Sequence, residues 1–246
     1  MALCDLCAEF LFFPGHWSLA TLLHCYNYPL HSGDPVLCPI CQKRKAERFC
    51  PAKAEKICAV CCGTEREVTL DCTPDCGYLV AAHRYEEQHP RQLPPDTPLL
   101  DVRLTPDLVR LHPQFISAIA FAVAKFCASE PAATDADILA ALQALAETWK
   151  TLASGIFYEK PPILPIQRAL YDSLSAFLSE TKQSPAQSPL GHSKDSEVFQ
   201  LIVFLYRMGL LRTNGRPRSR RFIEFLRGQF PGAHELKREQ SRIILP

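Results

Sequence analysis

The chain has 246 residues, of which 47% are hydrophobic and 22% charged, and its formal net charge is +1. This composition is typical of a globular protein and excludes wholesale disorder. The near-zero charge excludes a general attraction to polyanions, so a nucleic-acid surface would have to be local. No apolar run reaches the roughly 18 residues that a membrane span needs. We expect a cytoplasmic protein with no membrane partner.

Residues 1–37 form an N-terminal extension that does not have the composition of a signal peptide. Its apolar stretch, residues 11–26, is preceded by Asp5 and Glu9 rather than by basic residues, whereas a signal peptide begins with a basic region. One interpretation is a third metal site, with Cys4, Cys7, His24 and Cys25 as ligands. The alternative is that translation starts at Val36 or Leu37 and that the extension is not native.

Eight of the twelve cysteines lie within residues 38–76, and their spacing predicts metal binding. Cys38 and Cys41 form one C-x2-C pair, and Cys58 and Cys61 form another after sixteen intervening residues. This spacing is typical of zinc sites, because two C-x2-C turns bring four thiolates around one tetrahedral ion. We assign this first cysteine set to one Zn²⁺ ion.

The four remaining cysteines predict a second zinc ion. This second cysteine set consists of Cys50, Cys62, Cys72 and Cys76. The two sets interleave along the chain, and a unit of this size buries too little apolar surface to fold without metal.

Disulfides, an iron–sulfur cluster and a redox dithiol at Cys58–Cys61 are the alternatives. Nothing in the sequence indicates secretion, which disulfides would require. The bacterial ferredoxin spacing is absent, and no βαβ pattern surrounds the dithiol. Zinc remains the favoured interpretation.

Several motifs together resemble the N-terminal multi-cysteine module of a family of uncharacterised bacterial proteins. They are CPIC, ERFCPA, KICAVCCGTER and DCTPDCGYL, followed by His89-Pro90, and they cover residues 38–90. The resemblance implies a bacterial, cytoplasmic, metal-binding protein and brings no known activity. The order of the cysteines is also loosely similar to cross-braced eukaryotic zinc fingers of the HIT type, although the middle pairs differ in spacing. That likeness hints at two interleaved sites.

The rest of the cysteine-rich module, residues 38–88, contains two predicted elements. Residues 67–70 alternate and predict a short strand, and residues 78–88 predict a helix. We interpret His83 as a helix-surface residue, with a metal ligand as the alternative. Charges of both signs, such as Arg44 and Glu67, indicate a solvated surface. Residues 89–104 hold four prolines and predict a linker.

The helical domain, residues 105–246, contains about five predicted helices with apolar faces. They cover residues 113–127, a segment from a capping box at Thr134 and Asp137 to near Gly155, a segment beginning at Pro165, residues 195–211 and residues 219–229. Residues 184–193 predict a loop. Cys127 is expected to be a buried thiol.

Seven arginines and a single acid, Glu224, lie between Arg207 and Arg227, and we call this the arginine segment. The arginines are residues Arg207, Arg212, Arg216, Arg218, Arg220, Arg221 and Arg227. The planar guanidinium group is suited to phosphate, so the nucleic-acid-binding candidates are Arg216, Arg218, Arg220 and Arg221. The alternative is a solvated loop flanked by helix-end charges.

No signature of a zinc protease, a phosphate-binding loop, a hydrolase or a zinc deaminase is present. Two closed Cys4 cages also leave no open position for catalysis. We therefore predict a mainly α, non-enzymatic protein with two zinc ions in the cysteine-rich module and an adaptor-like helical domain that binds another protein. The alternative is nucleic-acid binding through the arginine segment, and a lesser alternative is an iron–sulfur or redox protein.

Overall fold

The structure, a computed structural model, describes residues 36–183 and 193–230. Residues 1–35 of the N-terminal extension, with the predicted third metal site, lie outside these residues, as does most of the predicted loop at 184–193. The described part is mainly helical and contains one small two-stranded sheet. None of its helices combines the length and apolar character that a membrane crossing requires.

The cysteine-rich module consists of a short hairpin and two helices. Strands β1 (Arg48–Cys50) and β2 (Glu55–Ile57) pair antiparallel. Helix α1 (Ala59–Glu65) follows at once, and α2 (Gly77–Gln88) comes after a turn-rich segment. The predicted helix at 78–88 is confirmed, whereas the hairpin and α1 were not predicted.

The predicted strand at residues 67–70 is wrong, because this stretch is a compact turn. The backbone N–H groups of Val68, Thr69 and Leu70 all donate to the carbonyl of Glu65. Glu67 has a φ of 53°, a left-handed conformation that an extended strand does not contain. The buried side chains of this turn are those at its two ends, Glu67 and Leu70, so burial does not follow the alternation that a strand would show.

The helical domain contains the five predicted helices, and the count is approximate because a short additional helix precedes them. The six are α3 (Leu108–Leu111), α4 (Pro113–Ser129), α5 (Asp135–Ala153), α6 (Pro165–Gln183), α7 (Asp195–Arg212) and α8 (Arg221–Gln229). The capping box at the start of α5 is confirmed, since the Asp137 carboxylate accepts from the backbone N–H of Thr134.

The core of the domain is centred on α5 and α7, and α4, α6 and α8 pack around this pair. Gly209 lies where α7 approaches its neighbours most closely. A Cβ atom there would lie 2.8 Å from Leu139 Cδ2 and 2.9 Å from Phe222 Cε1, so a larger residue would force these two side chains to shift. Cys127 is fully buried, as predicted, and burial raises the pKa of its thiol to about 12.

The proline-rich segment at residues 89–104 contains no helix or strand but packs against the helical domain. The side chain of Leu99 is buried in the core of the domain. The Arg207 guanidinium donates to the carbonyl oxygens of Leu99 and Val102. This chain segment therefore runs along the surface of the domain and leads directly from the cysteine-rich module.

Candidate metal centre

The first cysteine set converges on one point. The sulfur atoms of Cys38, Cys41, Cys58 and Cys61 all lie within 4.8 Å of one another, and Cys41 Sγ lies 3.9 Å from Cys58 Sγ. Four thiolates about 2.3 Å from a tetrahedral zinc ion are separated by about 3.8 Å. The spacing of the sulfurs therefore matches a single tetrahedral metal ion.

Two local turns position these ligands. In the first, the N–H of Gln42 donates to the carbonyl of Cys38, and the N–H of Cys38 donates to the carbonyl of Arg44. Gln42 has a φ of 52°, which lets the chain turn back after Cys41. In the second, Cys58 is the N-cap of α1 and its sulfur accepts from the N–H of Cys61 at 3.3 Å.

The surroundings of the sulfurs favour thiolates at some positions and oppose them at others. The backbone N–H of Lys43 donates to Cys41 and lowers the pKa of that thiol to about 6. Burial raises the pKa of Cys61 to about 12, and the neighbouring sulfurs add to this shift. The guanidinium of Arg44 contacts Cys41 and Cys58. Four crowded thiols with these donors around them can hold a metal cation, because the cation would replace the protons and relieve the repulsion between the sulfurs.

No known protein family, curated protein or solved structure matches this chain. The assignment of a metal centre therefore depends on the geometry of the first cysteine set. Membership of the bacterial family stays a prediction.

The second cysteine set surrounds a small cavity in the same module. Its sulfurs are less tightly grouped, since in the described part of the chain only the first set has three or more ligand atoms within 4.8 Å. Burial raises the pKa of the Cys72 thiol, and the nearby thiols of Cys76 and Cys50 raise it further. The predicted second site is therefore a loose cluster, whereas the first site is a formed cage.

His83 lies against Glu67 rather than in either cysteine set. Its Nε2 atom is 3.3 Å from both carboxylate oxygens of Glu67, and Asn214 donates to the same carboxylate at 2.7 Å. Burial raises the pKa of Glu67, but the hydrogen bonds from His83 and Asn214 outweigh it and hold this pKa below its usual value. Glu67 is only 3% exposed, so its prediction as part of a solvated surface is wrong.

Asn214 belongs to the arginine segment, and this segment binds the cysteine-rich module. The guanidinium of Arg216 donates to the carbonyl oxygens of Gly63 and Arg66 at the end of α1. Arg220 forms an ion pair with Asp71 at 2.7 Å. These contacts join parts of the chain about 150 residues apart and hold the module against the helical domain.

Arg221 and Arg218 differ in their contacts. Arg221 pairs with Glu86 and Glu87 of α2 at 3.3 Å. The backbone N–H of Arg218 donates to the carbonyl of Glu67, but its guanidinium has no partner among residues 36–183 and 193–230. Sequence reasoning missed these pairs because the acidic residues of the module looked like ordinary surface charges.

The other three arginines of the arginine segment also have partners, either within the helical domain or in residues 89–104, which pack on it. Arg207 and Arg227 donate to backbone carbonyl groups, and Arg212 lies over the ring of Phe225 at 4.1 Å. In the described structure, six of the seven arginines are therefore engaged within the chain. Nucleic-acid binding by the segment stays a prediction.

Replacing Arg216 by alanine should loosen the module without removing metal from it. The change removes charge-assisted hydrogen bonds to two carbonyl groups, which contribute about 1.5–3 kcal/mol each. We expect faster hydrogen exchange in residues 63–70 and an unchanged metal content. Arg218→Ala is the matched control and should alter stability by no more than about 0.5 kcal/mol. Equal exchange in the two variants would contradict a docking role for Arg216.

Proposed function

We propose that the protein is a non-enzymatic zinc-binding protein whose helical domain binds another protein. In this proposal the zinc ion stabilises the cysteine-rich module, and the arginine segment fixes that module to the domain. The binding surface for the partner lies on the helical domain itself. The ligand geometry supports the structural role of the module, and the distribution of exposed apolar residues supports the binding role of the helical domain.

Zinc is the metal that the first cysteine set suits best. Thiolates are soft ligands that favour zinc, copper(I) and iron–sulfur clusters. All four sulfurs lie within 4.8 Å of one another, which fits a single ion, since a cluster of several irons holds some of its cysteine sulfurs farther apart. All four positions of a tetrahedral ion are filled by protein, as in structural zinc sites, whereas catalytic sites keep one position open. Elemental analysis that found iron instead would contradict this assignment.

The observation that carries the proposed protein binding is an exposed apolar stretch between α5 and α6. We call residues 154–164 the apolar connection. Its large apolar side chains are all more than half exposed, and that of Ile163 is 97% exposed. They are Ile156, Phe157, Tyr158, Ile163 and Leu164. Exposed apolar residues grouped in this way mark sites where another protein binds.

The apolar connection is held in place by the end of α5. The N–H of Ile156 donates to the carbonyl of Thr151, and the Thr151 hydroxyl donates to the carbonyl of Tyr158. Pro161 and Pro162 restrict the backbone further. A surface that is already ordered loses less entropy when a partner binds.

A groove beside the connection indicates the chemistry of the partner. It has a volume of about 390 Å³ and lies between α5 and residues 160–164. Ala140 and Ala144 of α5 form part of its wall, and Glu147 and Lys160 also line it. These two charges are of opposite sign, so the groove suits a segment with apolar side chains and little net charge.

Nucleic-acid binding receives less support. Phosphate recognition needs several free guanidinium groups on one face, whereas Arg216, Arg220 and Arg221 bind acceptors in the cysteine-rich module. The guanidinium of Arg218 is the remaining candidate among the four.

The double variant Phe157→Glu/Ile163→Glu should abolish partner binding and leave folding intact. Interface anchors of this kind contribute at least about 2 kcal/mol each, so the loss should exceed tenfold in affinity. The partner is first captured by the full-length protein through a photo-crosslinker at position 158. It is then purified and its affinity measured directly. Leu111→Glu, which changes another exposed apolar residue, is the control.

Two results would contradict the proposal. One is equal affinity of the double variant and the Leu111→Glu control for the captured partner. The other is self-association of the purified protein that the double variant loses, because the connection would then bind a second copy of this chain.

A further inference from the structure

The small cavity in the cysteine-rich module has four potential metal ligands in its wall. Its volume is about 10 Å³, close to the space that one water-sized sphere occupies. The ligands come from four separate places in the module. Cys50 ends β1, Cys62 lies in α1, Cys72 follows the turn, and Cys76 is the N-cap of α2.

Two buried donors without an acceptor lie in the same wall. Arg66 Nε and Thr73 Oγ1 have no hydrogen-bond partner, and the one other buried side-chain atom of this kind in the described residues is Arg227 Nε. A buried donor left in this state costs about 1–3 kcal/mol. Neutral thiols are weak acceptors, whereas thiolates bound to a metal accept such donors strongly.

We propose that Cys50, Cys62, Cys72 and Cys76 bind a second zinc ion, with Arg66 and Thr73 donating to their sulfurs. Four thiolates around a divalent cation leave an excess of negative charge, and the Arg66 guanidinium offsets it. The buried side chains of Leu70 and Leu79 in the cavity wall restrict the access of water.

The second ion binds more weakly than the first. Its ligands are farther apart than those of the first set, so their side chains have to turn into the cavity when metal binds. We expect rotation about χ1 between staggered positions to turn the sulfurs into the cavity. The free-energy cost of this rearrangement lowers the affinity of the second site for its ion.

The second ion also strengthens the attachment of the module to the helical domain. Cys62 is next to Gly63, whose carbonyl accepts from Arg216, and Cys72 is next to Asp71, which pairs with Arg220. Binding a metal through both cysteines fixes the ends of the segment that carries these acceptors. This inference does not depend on the proposed protein partner.

Metal titration of the full chain with Zn²⁺ alone tests the proposal. Elemental analysis and native mass spectrometry should give about two ions per wild-type chain and about one in the Cys72→Ser/Cys76→Ser variant. The variant should also show faster hydrogen exchange in residues 63–70. Cys127→Ala, which removes a cysteine outside the module, should retain both ions. One ion in the wild type, or two in the double variant, would overturn the proposal.

Alkylation of the wild-type protein provides a test that requires no variant to fold. In the presence of excess Zn²⁺, all eight module cysteines should be protected from N-ethylmaleimide, and gradual removal of zinc should expose the second set first. Modification of the second set at saturating Zn²⁺ would refute the site. Neither measurement involves a partner, so this result is independent of the proposed protein binding.

Discussion

Cys58→Ser should unfold the cysteine-rich module while the helical domain stays folded. Cys58 supplies one of the four sulfurs of the first set and also caps α1. Structural zinc contributes about 10–16 kcal/mol to the folding of small zinc modules. The buried core of this module is otherwise small, since beyond its cysteines it contains mainly Ile57 and Leu70. Loss of the metal therefore removes most of the energy that folds the module.

The helical domain has its own core and does not need the metal. Its buried residues extend through all six helices. The ellipticity at 222 nm should therefore decrease only by the amount that α1 and α2 contribute. Proteolysis should cut the variant within the module and leave the domain intact. Val60→Ser, in the same helix but not a ligand, is the control and should keep its metal. Full protection of the module in the metal-free variant would contradict the proposed role of the metal.

Asp135→Ala should destabilise the helical domain by at least about 3 kcal/mol, because it leaves several buried donors without an acceptor. The Asp135 carboxylate is 1% exposed. It accepts from the Ser219 hydroxyl at 2.7 Å and from the N–H groups of Phe222 and Ile223 at 3.1 and 3.2 Å. Asp135 is the first residue of α5, and its carboxylate oxygens accept hydrogen bonds from the first turn of α8. The positive N-terminal ends of the two helices therefore meet at one negative charge.

The loss of Asp135 should also affect the module, because Ser219 and α8 position the arginine segment. Hydrogen exchange in residues 63–70 should increase in the variant, although no residue of the module is changed. Urea denaturation of the full chain measures the stability. Asp172→Ala, which removes only an exposed ion pair with Arg168, should cost no more than about 1 kcal/mol. A cost for Asp135→Ala as small as that of Asp172→Ala would show that the buried carboxylate does not hold α8.

The helices of the domain were predictable because their signals are local. The 3.6-residue spacing of apolar side chains, the capping box at Thr134 and the proline at the start of α6 each depend on neighbours within one or two turns. The same holds for the two C-x2-C pairs, since each turn that presents two thiolates is only four residues long. The sequence therefore determined the helical fold class and the four cysteines that converge at the candidate metal centre.

The roles of the charged residues were decided by the tertiary structure. From the sequence alone, Arg216 and Glu67 look like ordinary surface residues, since Arg216 lies in an arginine-rich turn and Glu67 is next to Arg66. Only the fold brings Arg216 to the end of α1 and buries Glu67 between His83 and Asn214. A charge buried in this way requires partners from any part of the chain, and no local pattern specifies them. For the same reason, the fold rather than the spacing decides how closely the sulfurs of the second cysteine set approach one another.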